Sequence, residues 1–351
     1  DLWGRYPAVA GTSEFRAAVA GWLGRRYPAT AGRIDPDLQV LPVSGTREAL
    51  FQTALLTVSP RADGRRPAVL MPNPFYAVYE GAAVLAGAEP VFLDTSPATG
   101  HLPDLDALAP ALLARTALFY LCTPANPQGV VADRAYLARA LALAREYGFV
   151  LAVDECYAEV WQQEPPPGAL EVAAQTAGDD TAWRQLLVFH SLSKRSGAAG
   201  LRSGFVAGDP ALIAAFGRLR SYALAGTPLP LLAAATALWQ DDDHVVAIRA
   251  RYRENFDAAA AVFRERFGFY RPAGGFFLWL DVGDGEQAAR RLWAEAALRV
   301  LPGAYLTRPG ADGHNAGQRY LRVALVHEAA AVTSACQRIV DTLERPPDAV
   351  D

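Results

Sequence analysis

The sequence predicts an α/β fold: a large domain built on a mostly parallel sheet, followed by a smaller α+β domain. Two observations carry this prediction. Short apolar runs of the kind that form buried strands alternate with helical patterns from about residue 38 to residue 222. After Pro228-Leu229-Pro230 the pattern changes to a long helix, a hairpin-like turn at Ala273-Gly274-Gly275 and further short strands. The length of 351 residues agrees, since it implies about two domains and ample chain for a large core.

Composition narrows the function. Hydrophobic residues make up 52% of the chain and charged residues 20%, as in soluble globular proteins. A net charge of −4 without a basic run argues against nucleic acid as a partner. The longest apolar stretch, Leu229–Trp239, is interrupted by Pro230 and Thr236 and is too short to span a bilayer. Cys122, Cys156 and Cys336 are an odd set without metal-ligand spacing, so they read as reduced thiols of a cytoplasmic protein. The chain opens on Asp1 with no methionine and no signal-like segment, and the expectation is that the native N-terminus lies upstream.

In chain order, a helical pattern runs from about Ser13 to Tyr27, with Thr12 or Ser13 as its N-cap. Leu38–Val43 reads as a strand that turns at Ser44-Gly45-Thr46 into a helix over Arg47–Val58. A strand feeding a helix through such a turn makes an anion site, because backbone N–H groups and the helix dipole converge there. An ordinary N-cap explains the same residues. Strand-like Ala68–Met71 ends in Pro72-Asn73-Pro74-Phe75-Tyr76, a rigid turn presenting two rings, of which one could stack on a flat heterocycle or simply pack in the core. Pro90–Leu93 and Ala117–Cys122 are further strands, the second ending in Thr123-Pro124-Ala125-Asn126-Pro127-Gln128-Gly129, where Asn126 is held to donate in one direction. An amphipathic helix over Asp133–Tyr147 leads to the unbroken apolar run Phe149–Val153. That run ends in Asp154-Glu155-Cys156-Tyr157, and a carboxylate at the end of a buried strand needs a cationic or hydrogen-bonding partner.

The most informative stretch is residues 190–204. Leu186–Phe189 enters as a strand and Arg202–Gly208 leaves as another, with Ser191, Ser193 and Lys194 between them. A lysine at the mouth of a buried strand is costly unless used. One use fits: a Schiff base with an aldehyde cofactor whose phosphate is gripped by Ser191, Ser193 and Arg202. A basic surface loop is the plainer alternative. Ser44, Tyr76, Asn126, Asp154 and Lys194 all fall at strand carboxyl ends, where ligands bind in such sheets. Beyond a helix over Asp209–Tyr222, the second domain reads as a helix from about His244 to Phe267, a strand Phe276–Asp281, a helix near Glu286–Leu298, the segment Val300–Gly303, a strand Tyr320–Val326 and a final helix. Arg322 lies among apolar residues of that last strand, where a guanidinium wants a carboxylate.

Together these strings resemble fold-type I pyridoxal-phosphate enzymes, specifically the class I/II aminotransferases, from about Tyr6 to the end of the chain. The resemblance implies a large domain with a mostly parallel seven-stranded sheet over residues 33–235, a small domain over 236–351, and residues 1–32 as the N-terminal part of the small domain and a dimer contact. It implies that Lys194 bonds covalently to pyridoxal phosphate and that Asp154 pairs with the ring nitrogen. Asn126 and Tyr157 would meet the ring hydroxyl, and Tyr76 would stack on the ring. Gly45, Thr46, Arg47, Ser191, Ser193 and Arg202 would surround the phosphate, and Arg322 would hold the substrate α-carboxylate. Tyr6 matches a tyrosine that reaches the phosphate of the neighbouring subunit, which implies a homodimer with shared active sites.

Within the class, Ser-Gly-Thr-Arg-Glu-Ala-Leu-Phe (44–51), Pro-Asn-Pro-Phe-Tyr-Ala-Val-Tyr-Glu-Gly-Ala (72–82) and Phe-His-Ser-Leu-Ser-Lys-Arg-Ser (189–196) are most similar to N-succinyldiaminopimelate aminotransferases of lysine biosynthesis. Asp-Glu-Cys-Tyr (154–157) and Arg-Ser-Gly-Phe-Val-Ala-Gly (202–208) agree. Ser221–Gly226 is less polar than that group implies, and its N-terminal arm is absent. The implied reaction exchanges an amino group with 2-oxoglutarate or glutamate. A class relative with another amino-acid substrate, a pyridoxal-phosphate β-lyase on the same fold and a non-catalytic cofactor-binding module are the competing readings.

Overall fold

Seven largely apolar runs pair into one sheet, whose inner strands are too hydrophobic to leave either face in water. They are β1 (Val40–Val43), β2 (Ala68–Asn73), β3 (Glu89–Asp94), β4 (Thr116–Cys122), β5 (Val150–Asp154), β6 (Leu186–Ser191) and β7 (Gly204–Gly208), in the order β1-β7-β6-β5-β4-β2-β3. Pairing is parallel from β6 across to β3, and β7 alone runs against its neighbours β1 and β6. The mostly parallel seven-stranded sheet is therefore as expected. The structure, a computed structural model, describes residues 2–178, 180–223, 226–310 and 313–345.

Alternation along the strands sends successive side chains to opposite faces. Leu151 and Val153 of β5 join a core with Phe15, Trp22 and Trp239, while Val150 and Ala152 join a second with Leu41, Leu50 and Phe216. Both faces are covered, as parallel sheets require. Helix Ser13–Arg26 is capped as the sequence suggests, the Thr12 hydroxyl accepting from Phe15 N at 3.2 Å.

The second sheet is antiparallel, with β8 (Phe277–Asp281), β9 (Leu301–Pro302) and β10 (Tyr320–Ala324) in the order β8-β10-β9. Its core packs Leu278, Leu280 and Leu321 against Phe256, Leu292 and Ile339 of helices Asp243–Phe263, Gly285–Ala296 and Ala329–Leu343. A small separate cluster of Cys122, Cys156, Tyr157, Val160, Phe276 and Phe277 joins the two sheets.

Three local expectations change. Leu229–Gln240 is a helix, with Pro230 in its first turn where a missing N–H leaves no bond unmade, and it buries Leu232, Ala235 and Trp239. Trp239 meets Trp22 at a centroid distance of 4.9 Å. The long helix stops at Phe263, short of Phe267, because Arg264 (φ 53°) and Phe267 (φ 53°) leave helical geometry. Ala273–Gly275 is no hairpin within the small sheet. It crosses to the large layer, with Gly275 N donating to Val160 O at 2.7 Å and Gly274 N to Gly129 O at 2.9 Å. Among the described residues no helix is long and apolar enough to cross a membrane.

Candidate active site

The carboxyl ends of β1, β2, β4, β5 and β6 open on one edge of the large sheet, and β10 of the small sheet faces them across the joining cluster. The hollow between them holds about 210 Å³ and is lined by Thr46, Tyr76, Asn126, Asp154, Lys194 and Arg322, with Arg47 and Tyr157 beside them. A second lobe of about 490 Å³ shares Thr46, Arg47, Tyr76 and Lys194 and adds Ser191, Ser193 and Arg202. Residues spread over 276 positions of sequence thus share one space. Ser44 lines neither lobe. Tyr6 is fully exposed at 104% and also lines neither.

The second lobe has the character of an anion cradle. Gly45 precedes helix Thr46–Thr57 at φ 84°, ψ 151°, a conformation that only glycine adopts readily. A Cβ there would stand 2.2 Å from Arg202 Nη2, so the absence of a side chain lets the guanidinium close over the helix N-terminus. Arg202 Nη1 donates to Ala199 O at 2.9 Å. The Ser191 hydroxyl caps the short helix Leu192–Arg195, accepting from Ser193 N at 3.1 Å. Arg47 Nε donates to the Tyr76 hydroxyl at 2.6 Å, which ties the ring to the helix start.

In the first lobe, Lys194 lies with its ammonium nitrogen 5.0 Å from the Phe276 ring centre and 5.9 Å from that of Tyr157. Burial among these rings lowers its pKa, because the charged amine is poorly solvated. Asp154 closes the floor. Its Oδ2 accepts from the Tyr79 hydroxyl at 2.9 Å and its Oδ1 from Cys156 N at 3.2 Å. Burial nevertheless raises the Asp154 pKa. Arg322, at a position of β10 opposite Trp279, donates through Nη1 to Asn126 Oδ1 at 3.1 Å and lies 4.5 Å from the Phe277 ring centre. Burial lowers its pKa too. The Tyr157 ring packs edge-on against Phe276 and Phe277, and burial raises its phenol pKa well above the usual value.

The unbalanced charges test whether pyridoxal phosphate fits. Among the described residues no salt bridge reaches Lys194, Arg202, Arg322 or Asp154. A buried carboxylate with only neutral donors asks for a cation such as a protonated ring nitrogen, and an arginine over a helix N-terminus asks for an anion such as a phosphate. The donor set fits the group at both ends. The described residues hold no cluster that could bind a metal ion.

Two features of this site escape the motif reading. Tyr79 carries the hydroxyl that reaches Asp154, and its only sequence signal is a spacing of three from Tyr76 at the start of helix Ala77–Leu85. Behind the floor, Glu155 accepts from the Tyr27 hydroxyl at 3.1 Å and from Ala169 N at 2.7 Å, and lies 2.9 Å from His190 Nε2. Tyr27 lies 163 positions from His190, and nothing local in the sequence links them.

The family described as aminotransferase class I and II matches residues 2–339. The chain is 32% identical over 345 residues to an LL-diaminopimelate aminotransferase of Desulforudis audaxviator, covering 97% of this chain and 81% of that one. A crystal structure of an aminotransferase from Neisseria meningitidis superposes with a TM-score of 0.89 at 40% identity, covering 97% of this chain and 85% of that one. The structure of a probable N-succinyldiaminopimelate aminotransferase from Thermus thermophilus superposes with a TM-score of 0.84 at 25% identity, covering 97% and 86%.

Proposed function

The chain belongs to the class I and II aminotransferases, pyridoxal-phosphate-dependent enzymes acting on amino and 2-oxo acids, and we propose that it exchanges an amino group between N-succinyl-LL-diaminopimelate and 2-oxoglutarate. One observation carries the choice of substrate. The residues lining the two lobes include the cations Arg47, Lys194, Arg202 and Arg322, and a single carboxylate, Asp154, on the floor. A free diaminopimelate brings a second ammonium that no lining carboxylate is placed to receive. Succinylation replaces that ammonium with an amide and a further carboxylate, for which a cationic lining is suited. The motif similarity and the Thermus thermophilus structure support the same reading.

When bound, pyridoxal phosphate supplies an aldehyde for the substrate amine and a ring that accepts the electron pair released at Cα. The roles of the chain's own residues follow from where they lie. Thr46, Ser191, Ser193, Arg202 and the N–H groups at the start of helix Thr46–Thr57 would hold the phosphate, and Tyr76 would cover the ring. Asn126 and Tyr157 would meet the ring hydroxyl, and Asp154 would hold the proton of the ring nitrogen. Lys194 is the general base: burial favours its neutral amine, which takes the Cα proton and hands it on. Arg322, aligned by Asn126, fixes the α-carboxylate and so presents the Cα–H bond to Lys194.

The same reading makes the enzyme a homodimer in which Tyr6 reaches the phosphate of the neighbouring subunit's site. Tyr6 is 104% exposed on this chain's surface, as such a role needs. Cys122, Cys156 and Cys336 are free and buried, which suits the reducing cytoplasm. Steady-state rates with 2-oxoglutarate test the substrate. The expected result is a kcat/KM for N-succinyl-LL-diaminopimelate above that for LL-diaminopimelate by about tenfold or more. A preference for the unacylated compound overturns the assignment, and release of pyruvate and ammonia from a β-thioether of alanine such as cystathionine, without a 2-oxo acid acceptor, would mark a lyase.

A further inference from the structure

The stretch Pro72–Tyr76 lines the catalytic hollow at every position but one. Pro72, Pro74, Phe75 and Tyr76 border it, as does Tyr79 of the helix that follows, but Asn73 does not. Asn73 is 1% exposed, and its carboxamide is bonded elsewhere. Its Oδ1 accepts from Arg308 N at 3.1 Å, and its Nδ2 donates to Arg308 O at 2.9 Å and to Asp94 Oδ1 at 2.7 Å. Arg308 belongs to the segment between β9 and β10 of the small sheet, and its side chain returns to the same stretch. Its Nε donates to Glu80 Oε1 at 2.8 Å and its Nη2 to Glu80 Oε2, with the guanidinium 4.9 Å from the Phe75 ring centre. Between these two grips, Phe75 N donates to Leu306 O at 2.8 Å.

One residue of the small unit therefore holds both ends of the stretch Asn73–Glu80. That stretch carries Tyr76 and also Tyr79, whose hydroxyl donates to Asp154 Oδ2 at 2.9 Å. Such a bond weakens steeply when donor and acceptor are misaligned. Arg308 lines neither catalytic lobe, so it is not placed to touch a ligand there. Its pair with Glu80 is part-exposed, the side chains at 41% and 23%, and adds little stability by itself. What the clasp fixes is the position of the helix start that bears Tyr79. The same unit carries Arg322, which lies opposite Leu301 of β9.

We propose that Arg308, clasped by Asn73 and Glu80, is a positioning residue that holds the Tyr79 hydroxyl on Asp154. The proposal rests on the reading that Asp154 faces the ring nitrogen of pyridoxal phosphate. The titratable groups around Asp154 are Cys122, Cys156, His190 and Lys194 of the large domain, together with Tyr76 and Tyr79. Of these, only the two tyrosines lie on the clasped stretch.

Absorbance of the pyridoxal-phosphate-loaded protein, followed against pH without substrate, tests the proposal. A carboxylate that loses a donor keeps more of its negative charge, and a cofactor facing it holds its proton to higher pH. Tyr79→Phe and Arg308→Met should each raise the pH midpoint of the visible band by about half a unit or more. The double variant should shift no further than Tyr79→Phe alone, because both act through one bond. Glu80→Gln should act as Arg308→Met does, and serves if the methionine variant does not fold. A clasp that only braces the fold would lower the melting temperature and leave the midpoint in place. An unmoved midpoint in a folded clasp variant overturns the proposal, as do additive shifts in the double variant. Asp154→Asn separates the two levels of the reading. If it moves the midpoint while the clasp variants do not, the proposal alone fails. If it does not move the midpoint, the placing of Asp154 at the ring nitrogen fails and the proposal with it.

Discussion

At the scale of single residues the site sets a buried Asp154, a half-buried Lys194 and Arg322 and an exposed Arg202 in one space, none of them in a salt bridge among the described residues. Lys194→Ala should lower turnover by at least ~10²–10⁴-fold while weakening cofactor binding only in part, because the phosphate contacts survive. Single-turnover rates and a cofactor titration check both halves. Tyr79→Phe removes one donor to the ionised Asp154, so kcat/KM should fall by about ten- to a hundredfold and the acid limb of its pH profile should move to higher pH. A purely structural tyrosine would leave that limb in place. Lys194 also carries a linkage signature in the cofactor-free protein. Its folded pKa lies below the ordinary value of 10.5, so between the two the unfolded chain holds a proton that the native state has lost. Native stability relative to Lys194→Met should therefore rise with pH across that window, measured as denaturant midpoints. A pH-independent difference between the two proteins would contradict the burial of this amine. Lys194, Asp154, Asn126 and Arg322 were legible because each sits in a short string with an unusual composition. Tyr79 was not, since a tyrosine facing inward from a helix has the same local sequence whether it packs or donates.

At the scale of elements, the strand-to-helix turn at Gly45 does the positioning. Gly45→Ala would meet both a backbone conformation costing an alanine about 1–3 kcal/mol and the Arg202 guanidinium. The expected outcome is a loss of pyridoxal-phosphate affinity together with a lower melting temperature, read by absorbance titration and calorimetry. Unchanged affinity would show that Arg202 does not close over this turn. Strands β4, β5 and β6 show in the sequence as apolar runs, because burial on both faces leaves polar residues such as Thr116, Asp154 and His190 only near their ends. Helix Leu229–Gln240 shows in the sequence only as an apolar stretch, for its pattern is nearly uniform and its partner, helix Ser13–Arg26, is distant in sequence. The segment Ala273–Gly275 misled for a related reason. Two glycines signal a turn but not which sheet the turn serves, and here they allow close passage over Pro124 and Val160.

At the scale of the whole molecule, a parallel sheet gathers its strand ends on one edge and a smaller antiparallel unit closes over them, bringing Arg322 to Asn126 across 196 positions of sequence. Fold class followed from the alternation of strand and helix. The meeting of the two sheets did not, because Phe277, which lines the cavity, and Phe276, beside the Lys194 amine, read equally well as core of the small unit. Sedimentation of the loaded protein should give a dimer, and Tyr6→Phe should raise the cofactor concentration needed for half-saturation without dissociating it. The central claim is amino-group exchange by Lys194 with pyridoxal phosphate. The most direct measurement adds glutamate, then N-succinyl-LL-diaminopimelate, separately to the loaded protein and follows the visible absorbance of the lysine-bound cofactor. Conversion of that band to the near-ultraviolet absorbance of the amine form by both compounds, with stoichiometric 2-oxo acid, is the predicted result. A band that persists with both would contradict the account.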